Sequence, residues 1–182
     1  MSDTLRPWKV LSHVIAYNGR FQVVEDLAET PNGEIRYSYI HSPAEVVATL
    51  PFSAENTVTL IREYRHPLGR VILDLPGGSI KPGETPEAAA RRELEEEAGY
   101  RAGQMEPLGH FVAYPNALDI GVHLFLGRAL QPVPRHHNRF EFGEPVEMDW
   151  ETLTAEVLSG DYADAALQLA VLLALARGPR PR

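Results

Sequence analysis

Glu93, Glu96 and Glu97 stand at i, i+3 and i+4 of a helix-forming run. That spacing gathers their carboxylates on one helix face, with Cβ atoms about 5–6 Å apart. Like charges so placed repel by a few tenths of a kcal/mol per pair even when exposed, and a helix built for stability alone would interleave Lys or Arg. Oxygen-only donors on a rigid element are what hard divalent cations such as Mg²⁺ or Mn²⁺ require. A solvated acidic face is the alternative for a bare run of glutamates. The glycine-rich loop upstream, with Glu84 and Arg92, turns the balance toward metal binding.

The elements that must position these groups follow from local chemistry. Pro76-Gly77-Gly78 through Lys81-Pro82-Gly83 is turn-forming, because Gly opens backbone angles closed to other residues and Pro fixes φ. Thr85-Pro86 predicts a helix start, with Thr85 as N-cap and Pro86 where a missing N–H costs nothing. Glu87 suits the positive end of the helix dipole. Ala88-Ala89-Ala90 and Leu94 favour helix, and Gly99 is the expected stop.

Around this centre the sequence reads as strands. Residues 8–26 alternate apolar and polar side chains about Asn18-Gly19, a hairpin signal, and Pro31-Asn32-Gly33 leads into a third β-like run over 34–40. The N-terminal part is therefore expected to be an antiparallel β meander. Buried strands are predicted over 44–52 and 57–64, with a short strand at 71–75 feeding the glycine loop. Strands over 100–114 and 121–130, a loop from Gln131 to Gly143 and a last strand from Val146 to Trp150 follow. Helices are predicted over 151–158 and 163–176, separated by Ser159-Gly160-Asp161. Strands on both sides of one helix, with helices at the end, indicate an α/β sandwich around a mixed β-sheet.

The 182 residues fit one domain, 1–182, and 44% hydrophobic with 23% charged residues is an ordinary globular composition. No apolar run has the roughly 18 residues of a membrane span, and MSDTLRPWKV lacks the apolar stretch of a secretory signal. The chain has no cysteine, which excludes disulfides and thiolate chemistry and makes a cytoplasmic location the expectation. A net charge of −8 argues against a general nucleic-acid binder. An anionic substrate remains acceptable if metal ions neutralise the local carboxylates.

From Gly77 to Tyr100 the chain resembles the Nudix box: Gly, five residues, Glu, seven residues, Arg-Glu, an aliphatic, any residue, Glu-Glu, any residue, Gly and a hydrophobe. Gly78, Glu84, Arg92, Glu93, Leu94, Glu96, Glu97, Gly99 and Tyr100 stand in that register, with Tyr100 where an aliphatic is usual. The resemblance implies an α/β/α fold and a divalent-metal-dependent enzyme that hydrolyses a nucleoside diphosphate linked to another group. It implies Glu93 and Glu97 as principal metal ligands, aided by the Gly77 carbonyl, with Glu96 binding directly or through water. Arg92 would hold a carboxylate in its ligand rotamer, and Glu84 would be a supporting group.

The flanks are similar to the ADP-ribose pyrophosphatase branch of that family. Ile61-Arg62-Glu63-Tyr64-Arg65-His66-Pro67 and Asp74-Leu75-Pro76-Gly77-Gly78 resemble its approach to the box, and Pro115 falls sixteen residues after Gly99, where the branch carries a proline. Val122 to Leu126 and Gly160 to Ala165 match its next strand and its last helix start. Ile120 departs from the pattern, standing where a Glu is expected, so the terminal sugar could differ from ribose. The branch implies a general base in the acidic stretch Glu141 to Glu147, Glu144 before Glu141, with a solvated loop carboxylate the alternative reading of each. Arg65 is a further candidate, for contact with a substrate phosphate, its alternative being a strand-end surface charge. Tyr37 or Tyr39 would stack on the base, with core packing the alternative for at least one of them. The branch also implies a homodimer in which the strands of 1–43 cross to the partner. Another Nudix pyrophosphatase (acting on coenzyme A, dinucleoside polyphosphates or damaged nucleotides) and a non-catalytic nucleotide-sugar-binding module are the competing expectations. His136-His137 has no third ligand nearby in sequence and reads as loop, and His123 as a packed strand residue.

Overall fold

Local turn chemistry sets where the chain reverses. In the computed structural model, which describes residues 6–53, 55–136 and 142–178, β1 (Lys9–Asn18), β2 (Gln22–Thr30) and β3 (Gly33–His41) form an antiparallel meander. Asn18 pairs with Gln22 across the first reversal, and Thr30 with Gly33 across the second. The second turn is fixed by Thr30, whose hydroxyl donates to the Gly33 carbonyl at 2.7 Å and accepts from the Asn32 N–H at 3.2 Å. Gly33 there adopts φ 115°, a region that favours glycine.

By its internal contacts the chain gathers into two compact units. The first comprises residues 1–43 and 112–120. Within it, Ile40 bridges Leu118, and the His41 ring lies 2.6 Å from the Asp119 carboxylate. Of β1 to β3 only Val24 and Ala28 are buried, and every residue of β1 is exposed.

The second unit, residues 44–111 and 121–182, holds the remaining described elements. Four strands lie in the order β7 (Gly77–Ser79), β4 (Val46–Pro51), β9 (Gly121–Pro132), β8 (Tyr100–Val112), with β4 parallel to β9 and antiparallel to β7. Strands β10 (Glu144–Asp149), β5 (Thr57–Arg65) and β6 (Arg70–Asp74) form an antiparallel sheet. Alternation along β4 and β9 sorts their side chains between two cores. Val47 and Phe125 pack with Ala89, Ala90, Leu94 and Ala98 of the box helix. Ala48, Leu50, Leu124 and Leu126 pack with Leu153 and Val157 of α2 (Trp150–Ser159) and Leu167 and Val171 of α3 (Ala165–Arg177). Helices thus cover both faces of the mixed sheet, the expected α/β/α arrangement.

Several boundaries differ from the sequence reading by a residue or more, and three of the shifts have a visible cause. The last strand begins at Glu144 rather than Val146, because β10 pairs with β5 from Glu144–Arg62 onward. Trp150 opens α2 instead of ending that strand: Asp149 is the N-cap and accepts from the Thr152 N–H at 3.0 Å, while the indole packs edge-on to Phe52 at 4.9 Å. Helix α3 starts at Ala165 because Asp164 caps it through the Leu167 N–H at 2.7 Å.

Candidate active site

The box helix α1 (Pro86–Glu93) starts where its cap predicts, with the Thr85 hydroxyl accepting from the Ala88 N–H at 3.2 Å. Ala89 and Ala90 are fully buried, and their small side chains let the helix lie close on β4, β7 and β9. The sequence predicted a continuous α-helix through Ala98. Instead, Leu94–Ala98 forms a single π-helical turn, ended by Gly99 in the left-handed conformation at φ 73°. Such wide turns concentrate at functional sites. Here Leu94 and Ala98 remain in the core, and the Glu97 carboxylate reaches back to accept the Gly77 N–H at 2.8 Å.

Glu93 is 8% exposed and lies over the backbone of Gly78. A Cβ at Gly78 would stand 2.5 Å from Glu93 Oε1, so a glycine is needed to leave room for the carboxylate. Arg92 binds the neighbouring acids together. Its Nη1 donates to Glu93 Oε1 at 2.6 Å and to Glu96 Oε2 at 3.2 Å. Its Nε and Nη2 grip Glu84 at 2.8 and 2.9 Å, and Nη2 also reaches the Ser79 carbonyl at 3.1 Å. Hydrogen bonds from Arg92, then from the Lys81 backbone N–H, hold the Glu84 carboxyl down at about 2. Burial pushes the Glu93 carboxyl above its ordinary range despite Arg92. Two carboxylates anchored against the Gly77-Gly78 backbone, with Glu96 beside them, form an all-oxygen donor set on rigid elements, which fits a hard divalent cation.

The other predicted residues fall in different places. Glu144 begins β10 and faces Arg62 of β5, whose Nη2 donates to it at 2.6 Å, both side chains being mostly exposed. Strand β10 packs against the π turn that carries Glu96 and Glu97, and the Tyr100 hydroxyl donates to Glu147 at 2.8 Å. Glu141 and His137 lie outside the described residues. Arg65 is engaged by its own neighbours: its Nε donates to Asp74 Oδ2 at 3.1 Å, and its Nη2 pairs with Asp74 and Glu63. Burial, then the nearby Asp74, raises the Asp164 carboxyl to about 6 in the same cluster. Tyr37 and Tyr39 belong to β3 of the first unit. The Tyr37 hydroxyl donates to the Asn116 carbonyl at 2.6 Å and its ring meets Trp8 edge-on at 5.9 Å. Tyr39 has its phenol shifted up by burial, with Asp26 and Asp119 adding to the effect.

One cluster was not foreseen. Glu45, His110 and His123 bring three ligand-type atoms within 4.8 Å of one another. His123, read from sequence as a packed strand residue, directs its Nε2 to Glu45 Oε2 at 2.8 Å, and His110 Nε2 lies 3.2 Å from Oε1. The hydrogen bond with His123 leads in holding the Glu45 carboxyl below its ordinary range. Nothing in the sequence spacing signals this group, since only the order of β4, β9 and β8 brings positions 45, 110 and 123 together.

The fold and the box define a class. A model of the NUDIX domain matches residues 42–168, and the chain belongs to the Nudix family. Its relatives include the ADP-ribose pyrophosphatase of Bacillus subtilis (strain 168), 35% identical over 150 residues that cover 81% of this chain and 80% of that one. The methanol dehydrogenase activator of Bacillus methanolicus is 36% identical over 115 residues, 63% of this chain and 62% of its own. A crystal structure of an ADP compounds hydrolase superposes with a TM-score of 0.84 at 24% identity, covering 98% of this chain and 100% of the other, a likeness of fold.

Proposed function

We propose that this chain is a divalent-metal-dependent pyrophosphohydrolase that splits ADP-ribose, or a related nucleoside diphosphate sugar, into nucleoside monophosphate and sugar phosphate. The observation that carries the reading is the buried Glu93 carboxylate over Gly78, fixed by Arg92 beside the Glu97 anchor on Gly77. The similarity to the Bacillus subtilis ADP-ribose pyrophosphatase supports the substrate class.

Glu93 and Glu97, with the Gly77 carbonyl and Glu96, would hold Mg²⁺ or Mn²⁺. The bound cation supplies charge neutralisation at the pyrophosphate and lowers the pKa of water. Arg92 keeps the ligand carboxylates in place through its contacts with Glu93 and Glu96, and Glu84 fixes the arginine from the other side. Glu144 is the proposed general base, accepting the proton of the attacking water, and its strand runs beside the π turn. Arg65 is proposed to meet a substrate phosphate from its place beside Asp74, and Tyr37 or Tyr39 to stack on the base.

The chain is proposed to act as a homodimer in the cytoplasm. Strand β1 exposes Val10, Val14, Ile15 and Tyr17, all at least 45% exposed, an apolar stretch of the kind that a partner surface covers. A monomer in sedimentation at micromolar concentration would refute the dimer, and recovery of the tagged chain outside the cytosolic fraction would refute the compartment. Among the described residues no helix is long and apolar enough to cross a membrane.

The deciding experiment is a substrate panel with Mg²⁺, scored by product identity: ADP-ribose, other nucleotide sugars, coenzyme A, dinucleoside polyphosphates and nucleoside triphosphates. Cleavage of ADP-ribose or another nucleotide sugar to the monophosphate and sugar phosphate is expected. Preference for triphosphates or coenzyme A would overturn the substrate class. Tight sugar-nucleotide binding without cleavage would make the chain a binding module.

A further inference from the structure

The geometry points to a second metal site: Glu45, His110 and His123 form a binding site for one transition-metal ion of the Zn²⁺ class, separate from the box carboxylates. The donor chemistry differs from that of the box. Two imidazoles with one carboxylate suit Zn²⁺ and its neighbours in the first transition row, whereas Mg²⁺ takes oxygen donors. With Zn–N and Zn–O bonds near 2.0–2.1 Å, tetrahedral geometry sets neighbouring donors about 3.3 Å apart. Glu45 Oε1 lies 3.2 Å from His110 Nε2 and Oε2 lies 2.8 Å from His123 Nε2, and one donor atom from each of the three residues falls within 4.8 Å of the others, a set that a small shift would bring to that spacing. Both histidines turn the same ring nitrogen toward the carboxylate, and their ring centroids are 4.4 Å apart.

A second observation concerns the space into which these atoms converge. A Cβ at Gly121 would stand 2.2 Å from Glu45 Oε1 and 2.5 Å from His110 Nε2. Any side chain at 121 would therefore fill the volume where the donors meet. Three adjacent parts of one sheet hold them: Glu45 precedes β4, His110 lies on β8 and His123 on β9. The Glu45 and His110 side chains are about half exposed, at 49% and 48%, so an ion can reach them from solvent.

The register sets His123 two strands away from the glycine under Glu93, while the Glu45 carbonyl accepts from the Ile80 N–H at 3.0 Å at the edge of the box loop. Val47 of β4 pairs with Gly78 on one side and with His123 on the other. With strands about 4.8 Å apart, the Gly78 backbone under Glu93 and the His123 backbone are separated by about 10 Å. A simple hydrogen-bonded cluster would account for the contacts, but half-exposed His–Glu pairs contribute little to stability. It would also bind no metal, and that is the point on which the two accounts divide.

The test uses the full, untagged chain, stripped of metal and then titrated with Co²⁺ and Zn²⁺ in the presence of excess Mg²⁺. The expected result is one saturable Co²⁺ per chain, with the visible absorption of a four- or five-coordinate ion, displaced by Zn²⁺. His123→Gln and His110→Gln should each weaken binding at least about 10-fold, the lower end of what even supporting groups around a metal contribute. Gly121→Ala should do the same without removing a donor, and Glu97→Gln should leave the binding unchanged. Circular dichroism confirms that each variant is folded, and the exposed His110 position keeps the test open if another variant is not. Absence of saturable Co²⁺ or Zn²⁺ binding would overturn the proposal. So would binding that survives both histidine substitutions and disappears in Glu97→Gln.

Discussion

Arg92 and Glu84 meet fork to fork: Nε donates to Oε1 at 2.8 Å and Nη2 to Oε2 at 2.9 Å. The pair fixes the plane of the guanidinium, and the remaining donor on Nη1 is thereby aimed at Glu93 and Glu96. A carboxylate in the loop before α1 thus sets the rotamer of carboxylates up to a dozen residues further on.

Lysine at 92 would keep the charge and lose the fork. Arg92→Lys is expected to lower kcat by about 10–100-fold, the usual cost of disturbing a group that orients metal ligands. The Mg²⁺ concentration for half-maximal activity should rise, with KM for the nucleotide sugar changing little. Because Glu84 is held at about 2, the fork should persist in the wild type across the neutral and mildly acidic range. An Arg92→Lys enzyme with unaltered metal dependence would refute this positioning role.

Glu144 tests the chemistry from the other side. If it accepts the proton of the attacking water, Glu144→Gln should lower kcat by about 10²–10⁴-fold. The glutamine oxygen can still accept from Arg62, so β10 should keep its register and the metal affinity should not change. A kcat within a few fold of wild type would remove Glu144 from the mechanism.

The Asp164 carboxyl gives a pH prediction for stability. Burial and Asp74 raise it to about 6, from 3.8 for an unperturbed aspartate. Between those values the folded chain binds more protons at this site than the unfolded chain, so its contribution to stability rises as pH falls from about 7 toward 4. Above pH 6 the ionised carboxylate destabilises the fold. Asp164→Asn keeps the N-cap acceptor for the Leu167 N–H and removes the charge. At pH 8 it should raise stability by about 1 kcal/mol, or roughly 2–4 °C in Tm, and the gain should shrink toward pH 4. A Tm difference independent of pH would contradict the assignment.

What was legible in the sequence was local. Thr85-Pro86 announced the helix start because capping needs only neighbours within one turn, and Asn18-Gly19 marked a hairpin for the same reason. The sequence puts Trp150 at a strand end, whereas its burial against Phe52, nearly a hundred positions away, depends on tertiary packing. The π turn at Leu94–Ala98 leaves no mark in a run of helix formers. Glu45, His110 and His123 were invisible as a group because strand order, not spacing, brings them together.

The glycines at 77 and 78 differ in what an added side chain would strike. A Cβ at Gly77 would lie 2.2 Å from the Val47 carbonyl oxygen, a backbone atom fixed in the β4–β7 pairing. Gly77→Ala should therefore disturb the sheet itself and lower Tm. At Gly78 the obstructing atoms are the Glu93 carboxylate, with Oε1 at 2.5 Å and Cδ at 2.8 Å. A side-chain end can swing away at small cost to the fold, but the swing takes a proposed ligand out of the metal site and off Arg92. Gly78→Ala should accordingly keep a Tm within a few degrees of wild type while losing at least about 10²-fold in kcat, the scale of a lost transition-state stabiliser. Partial recovery at high Mn²⁺ would be expected if the displaced carboxylate can be drawn back. Full activity in Gly78→Ala would show that Glu93 need not lie over Gly78 for catalysis, and the carboxylate arrangement proposed here would fall with it.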